Sequence, residues 1–272
     1  LVGYTGLVSL GHAAFFGFAG YIFALLSVKY GIDSFVINMA AVFVLTGMLG
    51  LMIGILVVRT RGVYFIMVTL AFSQMLFYIF HDSDWTGGSD GLFVQNLAPI
   101  VIFEEIIFDF TEPLQFYFLT FGMLCLVLTL IDRLVNSLFG KVICAIKINE
   151  SRAQSLGFPV YIYKLCCFII SSIIAGVAGF LSAIQYGIVN PEMLSWHLSG
   201  HALLMVLLGG MGTLLGPVLG AAIMLTLELL AQSITNNWQL IVGTVIILVA
   251  LLMPKGVVGA AQNQLHKSWP PK

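Results

Sequence analysis

The chain has 272 residues, of which 60% are hydrophobic and only 8% are charged, and its mean hydropathy is +1.06. A soluble domain of this length carries about a quarter charged residues, so the composition excludes a soluble globular domain and predicts a protein of the lipid bilayer. The net charge of -1 gives no indication of a nucleic-acid partner, because in a membrane protein the distribution of charge is informative and its sum is not.

Charge-free apolar stretches of about the 20 residues that a helix needs to cross the hydrocarbon core predict the membrane spans. They lie at residues 13–28, 35–58, 63–80, 114–131, 165–185 and 238–253, with a longer stretch at 202–230. The longer stretch is interrupted by Gly209, Gly210 and Gly212. We therefore predict an all-α fold, a polytopic transmembrane helical bundle with glycine-broken or re-entrant helices.

The segment from Leu97 to Phe110 is apolar but short, and it contains three acidic residues. Each acid would cost about 3 kcal/mol at mid-bilayer. We interpret the segment as interfacial or external, and we interpret the glycine-rich run at 86–91, which no lysine follows, as a tight turn.

Basic residues set the predicted orientation, because cytoplasmic loops are enriched in lysine and arginine. Arg59 and Arg61 share one short loop, and the loop 132–164 holds five more basic residues, so both are predicted to be cytoplasmic. The segments 82–112 and 186–199 are then external. The same bias favours a re-entrant pair of half-helices at 202–230. With such a pair, the C-terminus lies inside together with Lys255, Lys267 and Lys272, and Lys29 is the one external basic residue.

Three histidines in or near apolar stretches allow more than one interpretation. His12 is either part of a site within the membrane or a neutral side chain bonded to a neighbouring helix. His197 and His201 are four residues apart and would suit a metal, but the sequence offers no third ligand and an interfacial pair is favoured. Glycine clusters near both ends of the chain allow either close helix packing or unwinding of a helix beside a cavity.

The loop 132–164 predicts short helices between two spans. Its apolar positions have no soluble core of their own, so we expect a partner protein to cover them, or the lipid surface as an alternative. They are Val142, Ile143, Ile146, Ala153 and Leu156. No G-x-x-x-x-G-K-[ST] motif occurs, and an ATPase must therefore be a separate chain.

An ordered set of motifs resembles the permeases of branched-chain amino acid ABC importers, specifically the LivM-like branch, with urea permeases as near relatives. It comprises Gly3-Tyr4-Thr5-Gly6, Ser9-Leu10-Gly11-His12, Arg61-Gly62-Val63-Tyr64-Phe65, Thr69-Leu70-Ala71-Phe72, Thr86-Gly87-Gly88, Phe139-Gly140-Lys141, Ala145-Ile146-Lys147, Asn149-Glu150, Asn190-Pro191-Glu192, Gly209-Gly210-Met211-Gly212-Thr213 and Gly216-Pro217-Val218-Leu219-Gly220-Ala221.

The resemblance implies that Glu150, Ala153 and Gly157 match the E-x-x-A-x-x-x-G core of a loop that docks in a groove of the ATPase. The chain departs from the family in having Lys147 where arginine is usual and Ile148 where an acid is usual. Lysine is a point charge and lacks the planar fork of arginine, which puts one bidentate contact to the ATPase in question. Two sets of candidate residues follow. The coupling set is Lys147, Asn149, Glu150, Arg152, Ala153 and Gly157, and the translocation-path set is Gly11, His12, Thr69, Gly209, Gly210, Gly212 and Thr213.

The resemblance further implies one ABC-importer transmembrane domain over residues 1–272, with 132–164 as its coupling loop and with one or more N-terminal helices lacking. The expected location is the bacterial inner membrane. Expected partners are two ABC ATPase subunits, a second homologous permease subunit and an external solute-binding protein, and no cofactor or metal is predicted. The cargo is a branched-chain or other apolar amino acid, with urea or an amide as the alternative. A secondary transporter or channel is disfavoured because Glu228 is the one acid inside a predicted span, near its end. An intramembrane enzyme is disfavoured because the sequence has no H-E-x-x-H motif and no carboxylate pair at bilayer depth.

Overall fold

The computed structural model describes residues 1–94, 100–102, 105–108, 112–235, 237–252 and 256. Its helices are α1 (Val2–Thr5), α2 (His12–Tyr30), α3 (Phe35–Val57), α4 (Val63–His81), α5 (Pro113–Asn136), α6 (Leu138–Ile148), α7 (Glu150–Ser155), α8 (Val160–Tyr186), α9 (Trp196–Gly209), α10 (Gly216–Ile234) and α11 (Trp238–Leu252). Short 3₁₀ helices lie at Asp84–Thr86, Gly88–Asp90 and Pro191–Leu194. The strands are β1 (Leu92–Phe93), β2 (Ile100–Ile102), β3 (Glu105–Phe108) and β4 (Ile188–Val189).

Six of the described helices are long and apolar enough to cross a membrane: α2, α3, α4, α5, α8 and α10. This result confirms the prediction of an all-α polytopic membrane protein. One difference from the predicted spans is in α8, which begins at Val160 and includes Lys164. The described α11 has 15 residues, fewer than the roughly 20 of a full crossing.

The chain forms two compact units, one of Leu1 and Gly3–Ser199 and a second that begins at Gly200. The single domain over 1–272 stays a prediction. In the first unit, α8 packs against α2 and α3 through small residues. Gly176 faces Thr46 of α3, and Gly179 faces the backbone of Phe16 in α2. Because such residues allow close approach of helix backbones, these three helices form the core on which the other elements lie.

Two apolar clusters fill this core. One surrounds Tyr21 and Phe180, and the other surrounds Phe15 and Phe168, whose ring centroids are 5.7 Å apart and nearly perpendicular. α2 is apolar on all its faces, as expected for a helix enclosed by others, and it is the most buried of the six spans. α5 contributes little to the core and is exposed along most of its length.

The connections between the helices of the first unit lie at two ends, and ion pairs and strand pairs show which connections share an end. At one end, Arg61 contacts Glu150 of the loop 132–164. At the other, β1 pairs antiparallel with β4, and Lys29 Nζ donates to the backbone carbonyl of Trp85. The structure thus confirms that the two basic loops share one end and that Lys29 lies with the acidic connections at the other. Which end is cytoplasmic stays a prediction.

The acidic end contains the expected tight turn. Gly87, Gly88 and Gly91 all have positive φ, between 60° and 83°, a region that glycine tolerates best. The hydroxyl of Thr86 donates to the carbonyl of Phe80 at 2.7 Å and closes the turn. Of the segment Leu97 to Phe110, residues 97–99, 103, 104, 109 and 110 lie outside the described residues; β2 and β3 pair antiparallel, with a bulge.

The second unit contains the predicted glycine break. α9 ends at Gly209 and α10 begins at Gly216, and between them Gly210 and Gly212 have φ of 121° and 97°. A Cβ at Gly220 would overlap the backbone carbonyl of Met205, so the two helices cross closely. The break is confirmed, whereas the re-entrant path stays a prediction and Lys255, Lys267 and Lys272 lie outside the described residues.

The histidines of α9 have separate partners. His197 lies against the ring of Trp196, with centroids 3.9 Å apart. His201 Nδ1 is 3.6 Å from a carboxylate oxygen of Glu228 in α10. Within the described part of the chain, no group of three histidine, cysteine or acidic side chains is arranged to hold a metal.

Candidate functional site

A non-helical segment, residues 6–11, leads from α1 into α2 and is held against α4. Its amide at Leu10 donates to Thr69 Oγ1 at 3.2 Å. A Cβ at Gly11 would lie 2.6 Å from the carbonyl oxygen of Thr69, so only glycine permits this approach. Two residues of the predicted translocation path, Gly11 and Thr69, are therefore in direct contact.

His12, the first residue of α2, links this segment to α8. Its Nδ1 is 2.9 Å from Ser9 Oγ and its Nε2 is 2.9 Å from Ser171 Oγ. Since the Ser171 hydroxyl donates to the carbonyl of Phe168, it must accept from Nε2–H, and Nδ1 is left to accept from Ser9. A neutral imidazole satisfies both contacts. His12 is thus bonded to a neighbouring helix, and its part in a translocation path stays a prediction.

A second segment, residues 187–195, contains β4 and the 3₁₀ helix Pro191–Leu194 and enters the unit from the opposite end. Its Leu194 is fully buried, and the carbonyl of Leu194 accepts from Ser73 Oγ at 2.7 Å. Ser73 is ten residues into the 19-residue α4, a distance of about 15 Å at 1.5 Å per residue. The segment therefore reaches about halfway along the helix.

The two segments meet at the beginning of α2, and we call this region the junction (residues 6–13, Thr69, Ser73, Ser171 and 190–199). The amide of Ala13, one of the unpaired donors of the first helical turn, donates to Ser199 Oγ at 2.9 Å. Gly17 lies one turn further and packs against the backbone of Met193 and Leu194. Discontinuous helices meeting within the bundle, with polar groups at their ends, are typical of solute sites in transporters.

Sequence reasoning predicted only part of the junction. Ser73, Ser171 and Ser199 are small polar residues in otherwise mainly apolar helices, which was the only available indication. The predicted path residues Gly209, Gly210, Gly212 and Thr213 belong to the second unit, where the Thr213 hydroxyl donates to the carbonyl of Gly210 at 3.1 Å. Their part in a translocation path stays a prediction.

A pocket of about 100 Å³ lies beside the junction, between α1, α5, α6 and α8. Its wall is mainly aliphatic, and its polar groups come from Tyr4, Thr5 and Ser171. Ser171 thus faces the pocket as well as His12. Such a mainly apolar cavity with a few polar groups suits a small apolar solute better than a charged one.

The loop 132–164 forms a compact helical hairpin on the end of α8. Ser137 Oγ accepts from the amide of Gly140 at 3.3 Å at the start of α6, and Asn149 Oδ1 accepts from the amide of Arg152 at 2.9 Å at the start of α7. Gly157, with φ of 87°, ends the hairpin. The expected short helices are therefore confirmed.

The expectation that a partner covers all the apolar positions of this hairpin is wrong. Ile143, Ile146 and Ala153 are buried within the chain, and the last two pack against Val160. An amphipathic pattern alone does not distinguish a surface that the same chain covers from one that a partner covers. The hairpin has an outer face, defined by Ile148 and Leu156, whose exposed fractions are 85% and 71%.

Glu150 is the electrostatic centre of the hairpin. One of its oxygens is 3.1 Å from Arg61 Nη2, and the other is 2.7 Å from Lys164 Nζ. The exposed fraction of the Lys164 side chain is only 8%. Lys147 Nζ, by contrast, donates to the carbonyl of Gly3 at 2.6 Å. Among the coupling candidates, Glu150 and Lys147 therefore bond to their own chain.

Replacing Asn149 with alanine should destabilise α7 by about 1 kcal/mol, because the amide of Arg152 loses its side-chain acceptor. Thermal unfolding of the purified protein measures the change. Asn149→Asp is the matched control, since aspartate caps a helix equally well. An alanine variant as stable as the aspartate variant would show that the cap contributes nothing.

These features define a class of protein, a polytopic helical membrane permease. Its interrupted helices meet at a polar junction, and the hairpin 132–164, at the end of the first unit, presents an outer face. The chain belongs to the family described as branched-chain amino acid transport system / permease component, whose model matches residues 1–251. The family confirms the resemblance found in the motifs, and the chain is a transport subunit.

Two relatives carry the name "High-affinity branched-chain amino acid transport system permease protein LivM", one from Salmonella typhimurium and one from Escherichia coli. Each is 29% identical to the chain over 286 aligned positions, which cover 97% of this chain and 67% of the relative. No solved structure shows a significant match to the chain.

Proposed function

We propose that the chain is the membrane subunit of an ATP-driven importer of branched-chain or other apolar amino acids, working by alternating access in the bacterial inner membrane. The relatives named LivM support this substrate class. The mainly aliphatic pocket beside Ser171 suits the side chain of such an amino acid but not its ammonium and carboxylate groups, so it is the relatives that favour an amino acid over urea or an amide.

The hairpin carries the proposal, because one of its faces is buried on α8 while the other is exposed. Ile148 and Leu156, which define the outer face, are exposed apolar residues, and Lys147 and Arg152 of the same hairpin are exposed as well. Exposed apolar residues together with basic ones match the composition of a protein interface. Two ABC ATPase subunits are the proposed partners there, with a second permease subunit beside the chain and a solute-binding protein at the opposite end.

The test is uptake of radiolabelled leucine by proteoliposomes that contain the complete complex. Uptake is expected only when ATP is available on the side of the hairpin, and urea should not compete. Gradient-driven uptake by this chain alone, without ATP, would instead indicate a secondary transporter.

The outer face of the hairpin can be tested separately. The double variant Ile148→Ser and Leu156→Ser should reduce the amount of ATPase that copurifies with the complex at least tenfold. Two apolar side chains that the bound ATPase would bury are lost, and each contributes about 1.5 kcal/mol or more to the binding free energy. Leu114→Ser, at an exposed position at the far end of α5, is the control. Equal ATPase recovery from the two variants would exclude this face as the docking site.

A further inference from the structure

We infer that Lys164 is a positioning residue that links the hairpin to the junction, through a chain of contacts that we call the relay: Glu150, Lys164, Ser171 and His12. The inference rests on the proposed function, because it states how a movement imposed on the hairpin reaches the solute path. Neither Lys164 nor Ser171 belongs to the candidate sets obtained from the sequence.

The first step of the relay is the ion pair between Glu150 and Lys164. Both carboxylate oxygens of Glu150 are engaged within the chain, one by Lys164 at 2.7 Å and the other by Arg61 at 3.1 Å. The carboxylate therefore ties α7 to α8 and to the connection between α3 and α4. A buried charge without its partner is strongly unfavourable, so Lys164 and Glu150 must move together.

The second step runs along α8. Lys164 and Ser171 are seven residues apart, which is two helical turns, so they lie on one face about 10 Å from each other. On the neighbouring faces, Gly54 packs against Phe168 and Gly50 against Ser172. Because these contacts pack α8 closely on α3 along the stretch that carries Lys164 and Ser171, we expect this stretch to move as one body.

The third step joins α8 to the segment that precedes α2. Ser171 Oγ accepts from His12, and His12 accepts in turn from Ser9. Thr69 accepts from the amide of Leu10 on the same segment. A shift of α8 therefore acts on residues 9–12, which belong to the junction.

The relay explains why a lysine occupies position 164. A lysine near the beginning of a membrane span costs free energy unless its charge is paired, and methionine would fill similar space without that cost. Lys164 instead holds α7 at a fixed position on α8. Coupling between distant sites requires such a contiguous network of packed and bonded groups.

The experiment compares Lys164→Met with Lys164→Arg and with Lys141→Gln in the reconstituted complex. Lys141 lies exposed on α6 and forms no ion pair among the described residues, so its substitution removes a charge from the same hairpin without touching the relay. ATP hydrolysed per leucine imported is expected to rise at least tenfold for Lys164→Met. It should stay within twofold of the unmodified complex for the other two variants, with ATPase recovery equal in all.

An unchanged ratio for Lys164→Met would overturn the inference, as would a loss of uptake that only follows loss of bound ATPase. If Lys164→Met fails to fold, Ser171→Ala keeps the ion pair and cuts the relay at its third step. It is expected to raise the same ratio at least threefold, and an unchanged ratio would again overturn the relay.

A measurement that does not depend on ATP separates this inference from the proposed function. Hydrogen exchange of the amides of residues 9–11 in the purified chain should become at least fivefold faster in Lys164→Met and stay unchanged in Lys141→Gln. Equal exchange in both variants rejects the relay. Absence of ATP-dependent uptake by the unmodified complex, together with the expected exchange, rejects only the proposed function.

Discussion

Replacing Gly179 with valine is expected to abolish the accumulation of folded protein. A Cβ at this position would lie 2.6 Å from the carbonyl carbon of Phe16 and closer still to its oxygen. The obstacle is the backbone of α2, which cannot rotate away as a side chain can. Overpacking typically costs about 1–3 kcal/mol, and here the core helices α2 and α8 must separate along their whole contact to relieve it.

Gly122→Val provides the matched control, since Gly122 also lies within a membrane span but has no atom within 4 Å of its added Cβ. Its variant should be recovered in normal amounts. Size-exclusion chromatography of detergent-solubilised protein and its thermal unfolding measure both outcomes. Equal recovery of the two variants would show that close packing of α2 on α8 is not essential to the fold.

Replacing His12 with leucine is expected to reduce leucine uptake at least tenfold without loss of folded protein. The variant removes both contacts of the imidazole, to Ser9 and to Ser171, and leaves the Ser9 hydroxyl without its acceptor. An unsatisfied buried donor costs about 1–3 kcal/mol. We therefore expect the segment 6–11 to change its conformation at the junction, so that the Ser9 hydroxyl finds another acceptor.

Two further variants define what His12 contributes. His12→Gln keeps a donor and an acceptor and should retain part of the uptake. His81→Leu, at a half-exposed histidine whose Nδ1 contacts the neighbouring Asp82, should leave uptake unchanged. Transport by His12→Leu at the level of His81→Leu would show that the imidazole serves packing alone.

Local patterns predicted the helices of this chain well because the bilayer imposes a simple rule on length and hydropathy. The glycine run at 209–212 predicted the break between α9 and α10, since two of its glycines have a backbone conformation that other residues avoid. The start of α8 was missed because Lys164 resembled the end of a span. Its charge is neutralised by Glu150, which the sequence places 14 residues earlier in a different helix.

The junction and the relay were largely beyond sequence reasoning, because they depend on contacts between distant residues. His12 and Ser171 are 159 residues apart, and no local periodicity relates them. A serine in an apolar helix can also bond its own backbone, as Ser171 does to the carbonyl of Phe168. The buried positions of the hairpin were misassigned for a similar reason, since amphipathicity identifies a face to be covered and not the chain that covers it.

The pairing of β1 with β4 fixes the entry point of the chain that descends to Leu194. Because β1 and β4 themselves hold this position, insertions or deletions in the connection from β1 to α5 should leave the depth of Leu194 unaltered. This end of the first unit can therefore vary in length and sequence while the contact between Leu194 and Ser73 is kept.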